Sequence, residues 1–156
     1  MYEVSSRSLR EQPTLVMSAK VAVDEIPVFL GTAYAATADQ VTKSGLVMTG
    51  PPFARMRPLD SEFGQFEIEA GFPVDRAVEI EGEVMSSTLP GGKAAFVTHI
   101  GAYDQMMPAY AALETWIVEN QGVPDGPAWE VYYSDPTEQP DPSTWRTEIF
   151  QPYKSA

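Results

Sequence analysis

Apolar and polar residues alternate in short runs along this chain, and twice the period lengthens from two toward the three-to-four spacing of a helix. Residues 2–9 and 14–23 read as strands with Pro13 in the turn between them. A helix is expected over 24–43, with Asp24 as N-cap, Pro27 in the tolerated first turn and Gly45 as its stop. Strands at 52–57 and 65–70 follow, linked through 58–62. The second half repeats this order. Strands at 78–85 and 93–100 flank 86–92, whose Pro-Gly-Gly ending is a hairpin signal. Asp104 caps a helix with Pro108 in its first turn, running to 120 before Gly122 ends it. Strands at 128–134 and 145–151 close the unit across the proline-rich turn 135–142.

The landmarks recur in order. Pro27 answers to Pro108, Gly45 to Gly122, and Gly50-Pro-Pro-Phe53 to Gly126-Pro-Ala-Trp129, at offsets of 81, 77 and 76 residues. The expected fold is therefore α+β: two pseudo-symmetric β-β-α-β-β repeats, about 1–75 and 76–156, within a single domain spanning 1–156. Each helix carries an apolar stripe that can cover its own sheet: Phe29, Leu30 and Ala33 in the first, Tyr110, Leu113 and Ile117 among others in the second. The uncovered faces of two antiparallel sheets would meet across a pseudo-two-fold axis and leave a central cleft, a common seat for ligands.

At 156 residues, one core suffices. The absence of cysteine excludes disulfides, thiol catalysis and thiolate metal sites, and a single histidine, His99, excludes a multi-histidine metal centre. No metal or other cofactor is expected. The chain begins without a signal-like segment and holds no apolar run long enough for a membrane span, so a cytoplasmic protein is expected. The formal charge of −12 argues against direct nucleic-acid binding. Such acidity attracts cations, and it serves solubility equally well.

The most informative stretch is Trp129-Glu-Val-Tyr-Tyr133, which follows the breaker run 122–127. Strand alternation puts Glu130 and Tyr132 on one face and Trp129, Val131 and Tyr133 on the other. A glutamate among so much apolar surface either turns to solvent or faces a site where its charge is matched, because an unmatched buried carboxylate is costly. The corresponding position in the first half is Ala54, so the carboxylate is not needed to build the repeat. A carboxylate with aromatic walls suits a lipophilic cation. Tyr132, Phe53, Phe66, Trp145 and Phe150 are the candidate walls, and Met48, Met56, Met106 and Met107 could adapt their shape. A lone histidine at a strand end, as His99 is, more often satisfies a backbone group than acts as a base. Glu67/Glu69 and Glu79/Glu81/Glu83 read as solvated strand faces, not as a glycosidase pair. No serine or threonine stands in a nucleophile arrangement.

With those segments placed, the chain resembles the gyrase-inhibitor-like small-molecule-binding family, whose domain is also the effector-binding part of AraC- and MerR-type regulators. The resemblance is carried by Ala95-Phe-Val-Thr-His-Ile-Gly-Ala-Tyr103 and the helix Tyr110-Ala-Ala-Leu-Glu-Thr-Trp116. It extends through Pro127-Ala-Trp-Glu-Val-Tyr132 with Asp135-Pro136, and the ending Trp145-Arg-Thr-Glu-Ile-Phe-Gln-Pro152. It covers the chain, more loosely in the first half. Ala102 replaces the family's usual proline. The resemblance implies a duplicated antiparallel α+β fold around a cleft, and multidrug-type binding of hydrophobic, often cationic compounds with Glu130 at the cleft floor. Because strand-like sequence begins almost at residue 2, a stand-alone binder for sensing or sequestration is expected. Two alternatives stay open. One is a hydrolase of strained cyclopropane-containing toxins, with Glu130 as general base and Tyr132 or Tyr103 as proton donor. The other is a module that binds a DNA-handling enzyme, a separate regulator or a second copy of itself.

Overall fold

The computed structural model describes residues 2–58, 64–134 and 138–156. In chain order the elements are β1 (Ser5–Leu9), β2 (Gln12–Ala22), α1 (Ile26–Lys43), β3 (Phe53–Pro58), β4 (Gln65–Pro73) and β5 (Met85–Leu89). Then come β6 (Gly92–Ile100), α2 (Met107–Glu119), β7 (Gly122–Pro124), β8 (Trp129–Tyr132) and β9 (Arg146–Ser155). Short 3-10 turns precede both helices and β9. The α+β class with antiparallel strands and two helices is as expected. Most of the expected linker 58–62 and the Asp135-Pro136 pair lie outside the described residues.

The chain divides into two compact units, one of residues 11–90 and one joining 1–10 to 91–156. This differs from a cut near residue 75, and strand pairing explains why. β1 does not pair with β2; it pairs with β6, placing Ser5 opposite Phe96 and Leu9 opposite Gly92. β5 pairs with β2 and not with its neighbour β6. The expected hairpin at 86–92 is thus overturned: Ser86 to Leu89 are strand, and the chain only bends at Pro90 and Gly91. Pro13 likewise lies inside β2, opposite Thr88, because the break falls at Arg10 and Glu11. Turn-forming residues mark where a chain bends but not which strand it joins next. The strand expected over 78–85 is largely absent. Val78, Ile80 and Val84 instead lay their side chains on the core of Leu15, Val41, Leu46 and Val74 without forming a ladder.

In the unit of residues 11–90 the strand order is β3-β4-β2-β5. α1 buries Ala33, Thr37 and Val41, spaced four apart, against β2 and β4. Gly71 on β4 has no room for a side chain, since a Cβ there would stand 1.9 Å from the Leu15 carbonyl oxygen. In the other unit the order is β1-β6-β9-β8, with β7 pairing the far end of β9. α2 buries Ala109, Leu113 and Ile117 against Ala95, Val97 and Ile149 of β6 and β9.

These buried triads match at an offset of 76, not at the 81 suggested by Pro27 and Pro108. The prolines are not equivalent, because α1 starts earlier relative to its buried face. Neither Asp24 nor Asp104 caps its helix with a side chain; each falls in a 3-10 turn, and Glu25 accepts the Ala22 N–H at 2.9 Å. The residue that leaves α2 in a left-handed conformation is Gln121 (φ 60°), not Gly122. Gly122 is selected by space instead: its Cα faces the Lys154 carbonyl, the Tyr153 ring and Ile117, each within about 3.2 Å of where a Cβ would stand.

Candidate functional site

Register decides which side of the β6-β9-β8 sheet each candidate occupies. Val97, Ile149 and Glu130 are aligned in one row, and His99, Thr147 and Tyr132 in the next. Because Val97 and Ile149 pack beneath α2, both rows lie on the helix-facing side. Trp129, Phe150 and Phe96 alternate to the opposite side, where Trp129 stacks on Phe150 at 5.4 Å and the Arg7 guanidinium covers Phe96 at 4.0 Å. Glu130 therefore points toward the helix of its own unit.

There it is nearly enclosed, at 7% exposure. Tyr110, one turn into α2, donates its hydroxyl to Glu130 Oε2. Tyr132 donates to Oε1 at 2.7 Å. No lysine or arginine among the described residues forms an ion pair with it. Burial raises the Glu130 pKa above the usual carboxylate range, and the two phenol bonds and the nearby His99 offset only part of that rise. The Tyr110 phenol is also pushed up, by burial first and then by the neighbouring charge of Glu130, so it remains a donor.

An aromatic chain extends from this carboxylate. The Tyr132 ring meets Tyr103 edge-on at 5.4 Å, and Tyr103 lies 4.7 Å from Trp145. Tyr103 is placed by the turn after β6, where Gly101 adopts φ 141° and donates its N–H to the Trp145 carbonyl at 2.8 Å. Trp145 is held in turn by its ring N–H, which donates to the Gln139 carbonyl at 2.7 Å.

Of the residues singled out from the sequence, Glu130, Tyr132, Tyr103 and Trp145 thus form one contiguous group. Phe150 is on the other side of the same sheet. Phe53, Met56 and Phe66 belong to the other unit, where register sets Met56 and Phe66 on the α1-facing side and the 1%-exposed Phe53 opposite. Met106 is a core residue beneath α2, whereas Met107 is exposed. His99 satisfies a backbone group, pointing Nε2 at the Ala102 carbonyl at 2.9 Å.

Tyr110 is the partner that strand reasoning missed, because its place in an apolar helix stripe reads as packing. A buried tyrosine hydroxyl nevertheless needs a partner, and that was the available signal. Thr147 was also missed. It is fully buried between His99 and Tyr132, and its hydroxyl has no hydrogen-bond partner among the described residues. Among the described residues no cluster of three or more His, Cys, Asp or Glu could hold a metal, and no helix is long and apolar enough to cross a membrane.

Residues 3–154 match the family model described as the GyrI-like small molecule binding domain. Among solved structures, the EcmrR C-terminal domain is similar with a TM-score of 0.84 at 21% identity, covering 100% of this chain and 99% of that one. The EcmrR–DNA complex gives 0.82 and 22%, covering 99% of this chain but only 58% of the other, so this chain spans little more than half of that protein. A hydrolase from Listeria innocua scores 0.70 at 13% identity, with coverages of 97% and 92%. SAV2435 bound to tetraphenylphosphonium scores 0.61 at 14%, with coverages of 97% and 94%. No curated protein sequence matches.

Proposed function

We propose, since this chain belongs to the family of GyrI-like small molecule binding domains, that the small molecules it captures are hydrophobic cations and that Glu130 supplies the countercharge. One observation carries this reading: a carboxylate buried to 7% exposure, held by neutral phenols from Tyr110 and Tyr132 and lacking a basic partner among the described residues. Such a group is costly to ionise alone and much less costly beside a cation. Tyr103, Tyr132 and Trp145 add ring faces that attract positive charge. The similar structure that holds tetraphenylphosphonium supports the choice of ligand class. Sensing and sequestration are the roles such capture would serve.

Tetraphenylphosphonium is the probe. Glu130→Gln should weaken its binding by about tenfold or more, the loss of one charge contact in a water-poor site. Tetraphenylborate, with the same shape and opposite charge, should not bind. Equal affinity of wild type and variant for tetraphenylphosphonium would remove Glu130 from the site.

A second reading rests on the same raised carboxylate. A glutamate with an elevated pKa, bonded to two phenols, has the parts of a general base with proton donors beside it. The similar Listeria innocua structure described as a hydrolase keeps that reading in play. Glu130 would take a proton from water as its oxygen attacks a strained ring, and a phenol would protonate the ring atom released. Turnover separates the readings. A cyclopropane-containing alkylating compound that gains water faster with wild type than with Glu130→Gln, as followed by mass spectrometry, would establish hydrolysis. Equal rates leave a binder.

A further inference from the structure

We propose that His99 is a positioning residue of the Glu130 site: with its ring held between the hydroxyl of Tyr2 and the carbonyl of Ala102, it fixes the turn that presents Tyr103. This rests on the reading of Glu130 and its aromatic neighbours as a cation site.

The tautomer follows from the partners. His99 is 2% exposed, and Nε2 lies 2.9 Å from the carbonyl oxygen of Ala102. A carbonyl only accepts, so Nε2 carries the hydrogen. In the neutral ring Nδ1 is then an acceptor, and the Tyr2 hydroxyl donates to it at 2.8 Å with the two rings stacked at 6.0 Å. Tyr2 comes from the far end of the sequence, so no local preference selects this contact. Both ring nitrogens are satisfied, and the imidazole has one arrangement.

That arrangement bears on the site through three residues. The Nε2–H bond spans the bend from the end of β6 to Ala102, directly before Tyr103. Within that bend Gly101 holds φ 141°, and a Cβ there would come within 3.3 Å of the His99 ring nitrogen. The imidazole and the glycine are thus matched in shape, and the Gly101 N–H is anchored to the Trp145 carbonyl at 2.8 Å. Tyr103 leaves this bend with its ring between Trp145 and Tyr132, and Tyr132 donates to Glu130. His99 bears on the site through where Tyr103 is put.

His99 is the only histidine, so its ring signals need no assignment. Nitrogen-15 NMR of the imidazole should show the Nε2–H tautomer in wild type, and the Nδ1 signal should shift in Tyr2→Phe, where that nitrogen loses its hydrogen-bond partner. Tetraphenylphosphonium affinity should fall about threefold in Tyr2→Phe and about tenfold in His99→Leu, the range of one to two hydrogen bonds. His99→Gln can still donate to Ala102, and should bind within about twofold of wild type. An unchanged Nδ1 signal and affinity in Tyr2→Phe would overturn the proposal, and so would wild-type binding by His99→Leu. Should wild type bind no cation, the cation reading fails by itself, and the Tyr103 ring signals decide for His99. Displacement in His99→Leu with recovery in His99→Gln supports positioning; no displacement refutes it. If His99→Leu does not fold, Tyr2→Phe carries the test alone.

Discussion

Tyr110 donates its hydroxyl from α2 to Glu130 on β8, tying helix to sheet through a buried carboxylate. The other unit has the same helix position occupied by Tyr34, whose hydroxyl donates to the Phe53 backbone carbonyl at 3.0 Å. The strand position answering to Glu130 is Ala54 there. The helix tyrosine therefore belongs to the architecture of the repeat, and the carboxylate is an addition in one copy.

Tyr110→Phe should raise the Glu130 pKa further, since it removes a bond that favours the ionised form. The pH at which cation affinity reaches half its maximum should move upward with it. The fold should survive with a loss of about 1–2 kcal/mol. Cation titrations at a series of pH values test this; an unshifted profile would mean that Tyr110 does not govern the charge.

Glu130 should also leave a mark on stability. Its folded pKa is raised above the 4.5 of an ordinary glutamate. From 4.5 upward the unfolded chain releases this proton while the folded protein keeps it. The Glu130 contribution therefore falls as pH rises through the folded value. Denaturant unfolding of wild type and Glu130→Gln, compared pH by pH, should show the wild type losing ground over that window. Ligand stabilisation by a cation should run the opposite way and grow with pH. A flat difference between the two proteins would show a carboxylate titrating as if exposed.

Thr147→Val should stabilise the protein by about 1 kcal/mol, because the hydroxyl is fully buried without a partner among the described residues and valine keeps its shape. Thermal unfolding measures it. A fall in midpoint would show that the hydroxyl is used.

Gly71→Ala should cost about 3 kcal/mol or more, since the added carbon would overlap the Leu15 backbone on the neighbouring strand. The urea midpoint, or loss of soluble protein, reads this out. Gly31→Ala, where nothing lies within 4 Å in the middle of a helix, is the control and should be neutral or stabilising.

Much of the site's logic was legible locally. Period-two alternation was enough to set Glu130 and Tyr132 on one side, and breaker residues located the helices to within a few positions. Partners across space were not legible. The bond from Tyr110 joins residues 20 apart on different elements, and the one from Tyr2 to His99 spans 97. Nothing in the residues 86–92 distinguishes a hairpin from a strand that leaves its neighbour. The repeat was legible as an order of elements, but proline landmarks misjudged the helix register, which burial fixes at Ala33 with Ala109.

The pairing of β1 with β6 has a consequence for a chain made from one end. Ser5 must find Phe96, and β6 itself lies between β1 and β9, a strand made well after it. Residues 11–90, by contrast, hold β2, β3, β4 and β5 together, so the pairings among those four strands close within one stretch of chain. During synthesis that stretch can close as soon as Leu89 has emerged. β1, made before that stretch, then waits until β6 and β9 have followed, with the largely polar Ser5-Ser-Arg-Ser8 unpaired meanwhile. A ribosome stalled after Leu89 has left the exit tunnel and before β9 has would carry a folded segment preceded by an unclaimed strand.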